Sequence, residues 1–469
     1  MKLLGISGVL VLALAFVVRD FGCQASNSTA RPSNDVYSVE SYRADAERLI
    51  EAALADSSAF ERLAELTDTF GPRFSGSQSL EDALDWIVSE LRADGFDAVM
   101  EDPVMVPRWV RGEESLSLVS PRRADMQILG LGGSIATPPG GIEADVLVVD
   151  SFEELEARAS EAAGKIVLFN APFTSYGRTV TYRTNGAIEA AKVGAVASLI
   201  RSVGSGTMYT PHTGSMRYQD GVKKIPHAAV TIEDAEMMQR MQDRGQRVRV
   251  RLKMSAQTLP DSPSRNIVVE IKGRVAPDEI VVMGGHIDSW DVGQGAMDDA
   301  GGCVAAWQAL LLMKELGLQP RRTVRVVFWT NEENGLRGGN AYLNDRKEEV
   351  GNHVLAIETD SGVFTPSGFG FSGSDEAYEM VSSVGRLLEN IGAGTITRGG
   401  GGADIGPIMR EGVPGMGLTV DGSRYFYYHH TNADTIDKLD PREMNLCVAA
   451  LAVMAYVVAD MPERLPWDA

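Results

Sequence analysis

His286 is one of six histidines in a chain of 469 residues, and carboxylates stand two and twelve residues on, at Asp288 and Asp298. Downstream come the pair Glu332-Glu333, then Asp360, then the pair His429-His430. Imidazole nitrogen and carboxylate oxygen are donors that zinc takes in tetrahedral sets. Two such ions bridged by one carboxylate can act on a single hydrolytic centre. The inventory fills two sites: His286 with Asp360, Glu333 with His430, and Asp298 between them. Glu332 is then adjacent but unligated, which is where a general base belongs. Asp291 and Asp299 read as loop and helix-start acids, Asp299 also being able to support a ligand. His212, His227 and His353 have no such company and read as structural.

These residues work together only if the chain delivers them to one place. From Asn266 onward apolar strands alternate with helices: NIVVEIKG, EIVVMGGH, TVRVVFWTN and HVLAIETD, with DDAGGCVAAWQALLLMKELG as the first intervening helix. That alternation predicts a mainly parallel sheet covered on both faces. In such sheets ligands bind outside the carboxyl ends of the strands. His286, Glu332-Glu333 and Asp360 each end a strand, and Asp298-Asp299 opens the helix after the first. PREMNLCVAALAVMAYVVADM, apolar on most faces, predicts a helix buried against the sheet. Ser38 to Gly95 is helical by its three- and four-residue apolar spacing, and FDAVMEDPVMV is the strand that follows. Between about Val110 and Gln257 short strands and Gly/Pro turns predict a separate β-rich module.

The pattern resembles the di-zinc exopeptidase family of secreted aminopeptidases and carboxypeptidases. The motifs are His286-Ile-Asp288, Asp298, Glu332-Glu333 within EENGLRGG, Asp360, and His430-Thr-Asn-Ala-Asp434-Thr435. HIDSWDVGQGAMDD and FGFSGSDEAYE are most similar to the carboxypeptidase branch. The resemblance implies an α/β fold, a mainly parallel mixed sheet flanked by helices. Its peptidase domain would be split into 38–109 and 261–469 by a β-rich protease-associated-like insert, 110–260. It implies two zinc ions per chain on His286, Asp298, Glu333, Asp360 and His430, with Asp298 bridging and the Asp298–Asp299 bond cis. Glu332 is then general base and later general acid, and Asp288 the acceptor that fixes the His286 tautomer. Many relatives carry Tyr just before the last ligand; His429 stands there instead, as the candidate oxyanion donor. The substrate is expected to be a dipeptide or short peptide, and the assembly a homodimer. The competing readings are an aminopeptidase, a mono-zinc glutaminyl-cyclase-like acyltransferase, which the full ligand set argues against, and a non-catalytic receptor-like relative, which would have eroded ligands.

No cluster of cations marks recognition of a peptide carboxylate; Arg424 and Arg398 are the loop candidates. Asp404, in GGGGADIGPIMREGVPG, matches an acidic family position, although an Asx-type turn explains it equally well. That glycine run lacks the Lys and Ser/Thr of a phosphate loop. Tyr425, Phe426, Tyr427 and Tyr428 read as a pocket wall or a strand core. The formal net charge of −20 argues against nucleic-acid binding. No C-x-x-C pair occurs, so thiolate zinc sites are excluded, and Cys303 and Cys447 read as buried thiols. Met1-Lys2 followed by the apolar run Leu3 to Val18 has the grammar of a signal peptide or N-terminal anchor over 1–25, hence export. Cys23 is a lipid-attachment candidate, although Asp20 occupies a position that such signals keep apolar.

Overall fold

Runs such as VVMGG and VRVVFW are satisfied only by burial on both faces, and the computed structural model sets them side by side. It describes residues 38–467 except Asp97 and Thr207; the expected signal or anchor and Cys23 lie outside the described residues. Strand Ala276–His286 pairs in parallel with Arg322–Trp329 on one side and with His353–Glu358 on the other. Gly415–Val420 continues the parallel set beyond His353–Glu358. The edges are mixed. Gln257–Ile271 runs antiparallel to Arg322–Trp329, and Val99–Val110 antiparallel to Gln257–Ile271. On the far side Pro366–Ser372 is antiparallel to Gly415–Val420 and parallel to Thr395–Arg398. The result is an eight-stranded sheet whose centre is parallel, as the strand–helix alternation predicts.

Helices cover this sheet. Pro441–Asp460 begins under an Asp440 cap that accepts from the amides of Arg442 and Glu443, with proline in its first turn. It is long and apolar enough to cross a membrane, but here it is buried inside the fold. It packs on helices Arg43–Ala55 and Gly301–Glu315. Cys303 and Cys447 are free and buried in two of these helices. The N-terminal helical stretch breaks at Asp56, whose carboxylate accepts from the amides of Ser58 and Ala59 and starts helix Ser58–Phe70.

The segments between Val110 and Gln257 build a second eight-stranded sheet, from Glu114–Ser120 to Arg249–Met254 in chain order. It has its own apolar clusters, one on each face, with Leu118, Val148, Leu168 and Val250 in one and Phe169, Ile200 and Ala229 in the other. Arg111, just after Val110, ties this module to the first. Its guanidinium forks onto both oxygens of Asp291, with Nε donating at 2.9 Å, and donates to Gly130 O and to Thr213 Oγ1 at 3.2 Å. Asp291, a plain loop acid by sequence, is thus a clamp. Asp291→Asn should cost about 1–3 kcal/mol in denaturant unfolding, because it leaves a largely buried guanidinium short of its counter-charge. An unfolding midpoint equal to wild type would show that Glu114, 3.7 Å from the same guanidinium, compensates fully.

Candidate metal centre

Parallel pairing places the carboxyl ends of the three central strands on one edge. His286 ends its strand there, Glu332-Glu333 follow Trp329 by three and four residues, and Asp360 follows Glu358 by two. Asp298 and Asp299 occupy the turn Ala296–Ala300 that leads into helix Gly301–Glu315; both have non-helical dihedrals, and the bond between them is cis. His430 follows the short helix Tyr425–Tyr428 and has a positive φ of 59°.

Asp298 lies between two imidazoles. Its Oδ1 is 3.1 Å from His286 Nε2 and its Oδ2 is 3.3 Å from His430 Nε2. His286 Nε2 is also 3.4 Å from Asp360 Oδ1, and His430 Nε2 is 3.1 Å from Glu333 Oε2. Donor atoms on a tetrahedral zinc with bonds of 2.0–2.1 Å stand about 3.3 Å apart. The two sets therefore have the spacing of ligand shells. Two carboxylate oxygens of these residues are also poorly served as hydrogen-bond partners: Asp298 Oδ2 and Glu333 Oε1 are buried without an aligned donor. The residues present fit two divalent ions sharing Asp298.

Electrostatics points the same way. Burial disfavours charge on His286, yet the Asp298 and Asp360 carboxylates more than reverse this and raise its pKa well above the ordinary value. His430 is raised likewise, against burial, by Glu333 and Asp298. Burial alone would raise Asp298, but the two imidazoles hold it well below the usual carboxylate range. Burial, with Asp298 adding to it, pushes Glu333 up to about 7. Protons are thus the counter-ions that these carboxylates gather when alone, and a divalent ion competes for the same positions.

The surroundings hold the donors in place. His286 Nδ1 faces the main-chain carbonyl of Asp288 at 2.8 Å, whereas the Asp288 carboxylate is 3.8 Å away. The expected tautomer-fixing carboxylate is therefore replaced by a carbonyl, because the Asp288 side chain is used elsewhere. It accepts from the amides of Glu332 at 3.0 Å and Glu333 at 3.4 Å, and from Ser75 Oγ at 3.1 Å. Asp299 Oδ2 accepts from the His286 amide, in space that exists because Gly285 and Gly302 lack Cβ atoms; added ones would stand 2.1 and 2.4 Å from its oxygens. Asp434, within the quoted motif but given no role from sequence, accepts from the amides of Met297 and Asp298. Arg73 donates to Ile287, Gly71, Gln294 and Gly295 carbonyls, stapling the loop between His286 and Asp298.

A cavity of about 630 Å³ opens over the centre, lined by Asp298, Glu332, Glu333, Asp360, His429 and His430, and walled by Tyr425 and Phe426. Of the aromatic run, these two form wall rather than strand core, since 425–428 is a short helix. Glu332 is raised well above the usual range, by burial first and then by Asp360 and Glu333. His429 stacks on His430 with ring centroids 3.5 Å apart, and its Nε2 is 3.7 Å from Asp298 Oδ2. Asp404 is buried beside Glu358 and neither of its carboxylate oxygens accepts a hydrogen bond, so an Asx-type turn does not account for it. His227 bridges the carbonyls of Ser198 and Arg183, and His353 bonds Tyr342 Oη; neither reaches the centre. Arg424 and Arg398 are paired with Glu443 and Asp375 and do not line the cavity.

The model of peptidase family M28 matches residues 266–455. Carboxypeptidase Q of Mus musculus is 52% identical over 407 residues, covering 87% of each chain. The chain belongs to peptidase family M28. A peptidase M28 precursor from Shewanella amazonensis SB2B has the same fold, with a TM-score of 0.89 at 36% identity over 92% of this chain and 100% of that one. A zinc aminopeptidase from Bacillus subtilis shares the fold at a TM-score of 0.65 and 20% identity, over 87% of this chain and 96% of that one. Membership makes this chain a zinc metallopeptidase.

Proposed function

We propose that this M28 peptidase is an exported di-zinc exopeptidase of the carboxypeptidase Q type, hydrolysing dipeptides or short peptides. The observation that carries the site assignment is Asp298, one carboxylate with an imidazole facing each oxygen. His286 and Asp360 would hold one zinc, His430 and Glu333 the other, with Asp298 shared. Bound there, the ions supply an activated water and a Lewis acid for the scissile carbonyl. Glu332, adjacent to a ligand and lining the cavity, takes the proton of the attacking water and hands it to the leaving amine. Burial, with His430 adding to it, depresses His429 well below the ordinary value, so it is a neutral imidazole with one N–H to donate to the developing oxyanion.

The second sheet, which lies between the strands ending at Val110 and beginning at Gln257, is read as the protease-associated insert expected over 110–260. The N-terminal apolar run is read as the export signal or anchor, and a homodimer as the assembly. Sequence identity of 52% over 87% of this chain to a carboxypeptidase, against 28% over 58% to a probable leucine aminopeptidase, favours recognition of the carboxyl terminus. The test is hydrolysis of an apolar dipeptide and of its C-terminal amide by the zinc-loaded protein, before and after chelation. Cleavage of the free acid alone, abolished by chelator and restored by zinc, is the expected result. Equal cleavage of acid and amide would replace the carboxypeptidase reading with an aminopeptidase; cleavage of neither would end the substrate assignment.

A further inference from the structure

The catalytic cavity is lined by five carboxylates, Asp298, Glu332, Glu333, Glu358 and Asp360, and, among the described residues, by one guanidinium, that of Arg183. That arginine does not come from the catalytic sheet. It lies on helix Tyr176–Lys192 of the second module and is only 7% exposed. Buried guanidinium groups are normally matched by a carboxylate. Arg424 and Arg111 follow that rule, with Glu443 and Asp291, whereas buried Arg73 has its donors taken up by four main-chain carbonyls. Arg183 has no ion pair among the described residues, and its Nε makes no hydrogen bond. Its partners are neutral: Nη2 donates to Tyr176 Oη at 2.8 Å, and Nη1 reaches Thr213 O at 3.4 Å.

The group is also held still. The guanidinium packs flat on the main chain at Gly214, where an added Cβ would lie 2.3 Å from Cζ, and over the Tyr176 ring at 5.4 Å. Tyr176 lines the same cavity and meets His429 edge-on at 5.2 Å. Because its hydroxyl oxygen accepts from Arg183, its own O–H is left to donate. A planar cation and a hydroxyl donor, fixed together beside the hydrolytic centre, form a receptor for a planar anion.

We propose that Arg183, with Tyr176, binds the free C-terminal carboxylate of the substrate, so that the inserted module sets which peptide end is read. This rests on the exopeptidase reading above and gives it a residue. The competing role is structural: Nη1 is 3.5 Å from His430 Nδ1 and could merely back that imidazole. However, His430 Nδ1 has its own acceptor in Thr213 O at 3.3 Å, and a protonated Nδ1 cannot accept from a guanidinium.

The experiment measures calorimetric binding to the full zinc-loaded protein of an apolar dipeptide with a reduced scissile bond. It is offered as free acid, as C-terminal amide, and as an amide with an acidic last side chain. Wild type should bind the free acid roughly ten- to a hundredfold more tightly than either amide. Arg183→Met should erase that preference with zinc content retained, and Arg183→Lys should restore part of it. A variant that weakens acid and amide equally, or that loses zinc, would reduce Arg183 to a support for His430 and overturn the proposal. Tight binding of the acidic-side-chain amide would overturn the assignment to the terminus. If wild type prefers the acid yet cleaves no dipeptide, the carboxylate site stands and the peptidase substrate falls. If wild type cleaves acid and amide alike without preference in binding, both fall together.

Discussion

Glu332→Gln should lower kcat by about 10²–10⁴-fold while zinc stoichiometry stays at the wild-type value. Glutamine keeps the shape and removes only the capacity to take a proton. Glu332 adjoins Glu333 in sequence, but their amides, not their carboxylates, share the Asp288 anchor at 3.0 and 3.4 Å, so the exchange leaves that support intact. The loss should fall on kcat, because the proton moves in the transition state and contributes little to ground-state binding. Steady-state kinetics on a dipeptide together with elemental analysis decides it. Retention of more than a tenth of the rate, or loss of zinc along with the rate, would show that Glu332 is not the base.

Arg73→Met should destabilise the protein by more than about 3 kcal/mol and weaken zinc binding roughly 10–100-fold. Arg73 is fully buried, and its side chain donates to the carbonyls of Ile287, Gly71, Gln294 and Gly295 at 2.7 to 2.9 Å. Methionine fills similar space but leaves those carbonyls without donors in a region that water does not reach. Two of them, in Gln294 and Gly295, lie just before the turn that carries Asp298. The same substitution should therefore be felt both in unfolding of the zinc-free protein and in zinc titration. An unfolding free energy within about 1 kcal/mol of wild type would mean that the loop is held by Asp434 and by Ser289, whose Oγ accepts from the Arg73 amide and whose amide donates to the Arg73 carbonyl.

The candidate donors His286, Asp298, Glu333 and Asp360 are legible because each stands near a strand end or a helix start, and periodicity finds those positions; His430, past the helix Tyr425–Tyr428, is legible only from its polar motif. Parallel pairing then does the rest, without any further information from the side chains. What escapes is whatever depends on a partner far along the chain. Arg73 meets Ile287 across 214 positions, and nothing local to Gly-Pro-Arg-Phe signals it. Arg183 is a polar residue on an ordinary amphipathic helix until the second module is set against the catalytic edge. Arg424 and Arg398 fail as carboxylate readers for the mirrored reason: Glu443 and Asp375 already neutralise them. Asp288 illustrates a finer limit. Its spacing from His286 suggests a side-chain contact, but the turn presents the carbonyl to the imidazole and frees the carboxylate for the Glu332 and Glu333 amides.

Val110 and Gln257 are register partners at the ends of two long antiparallel strands, and the whole second module hangs between them. Closing so long a stretch of unstructured chain is entropically unfavourable, whereas closing a folded body whose ends already lie together costs far less. Assembly of the sheet edge should accordingly wait for the module. The nascent enzyme then carries its own template, a body that folds on its own apolar clusters and hands both strands to the catalytic sheet already aligned. Pulsed hydrogen exchange would show this as early protection of Val148 and Leu168 ahead of Val268; simultaneous protection would dispose of the idea.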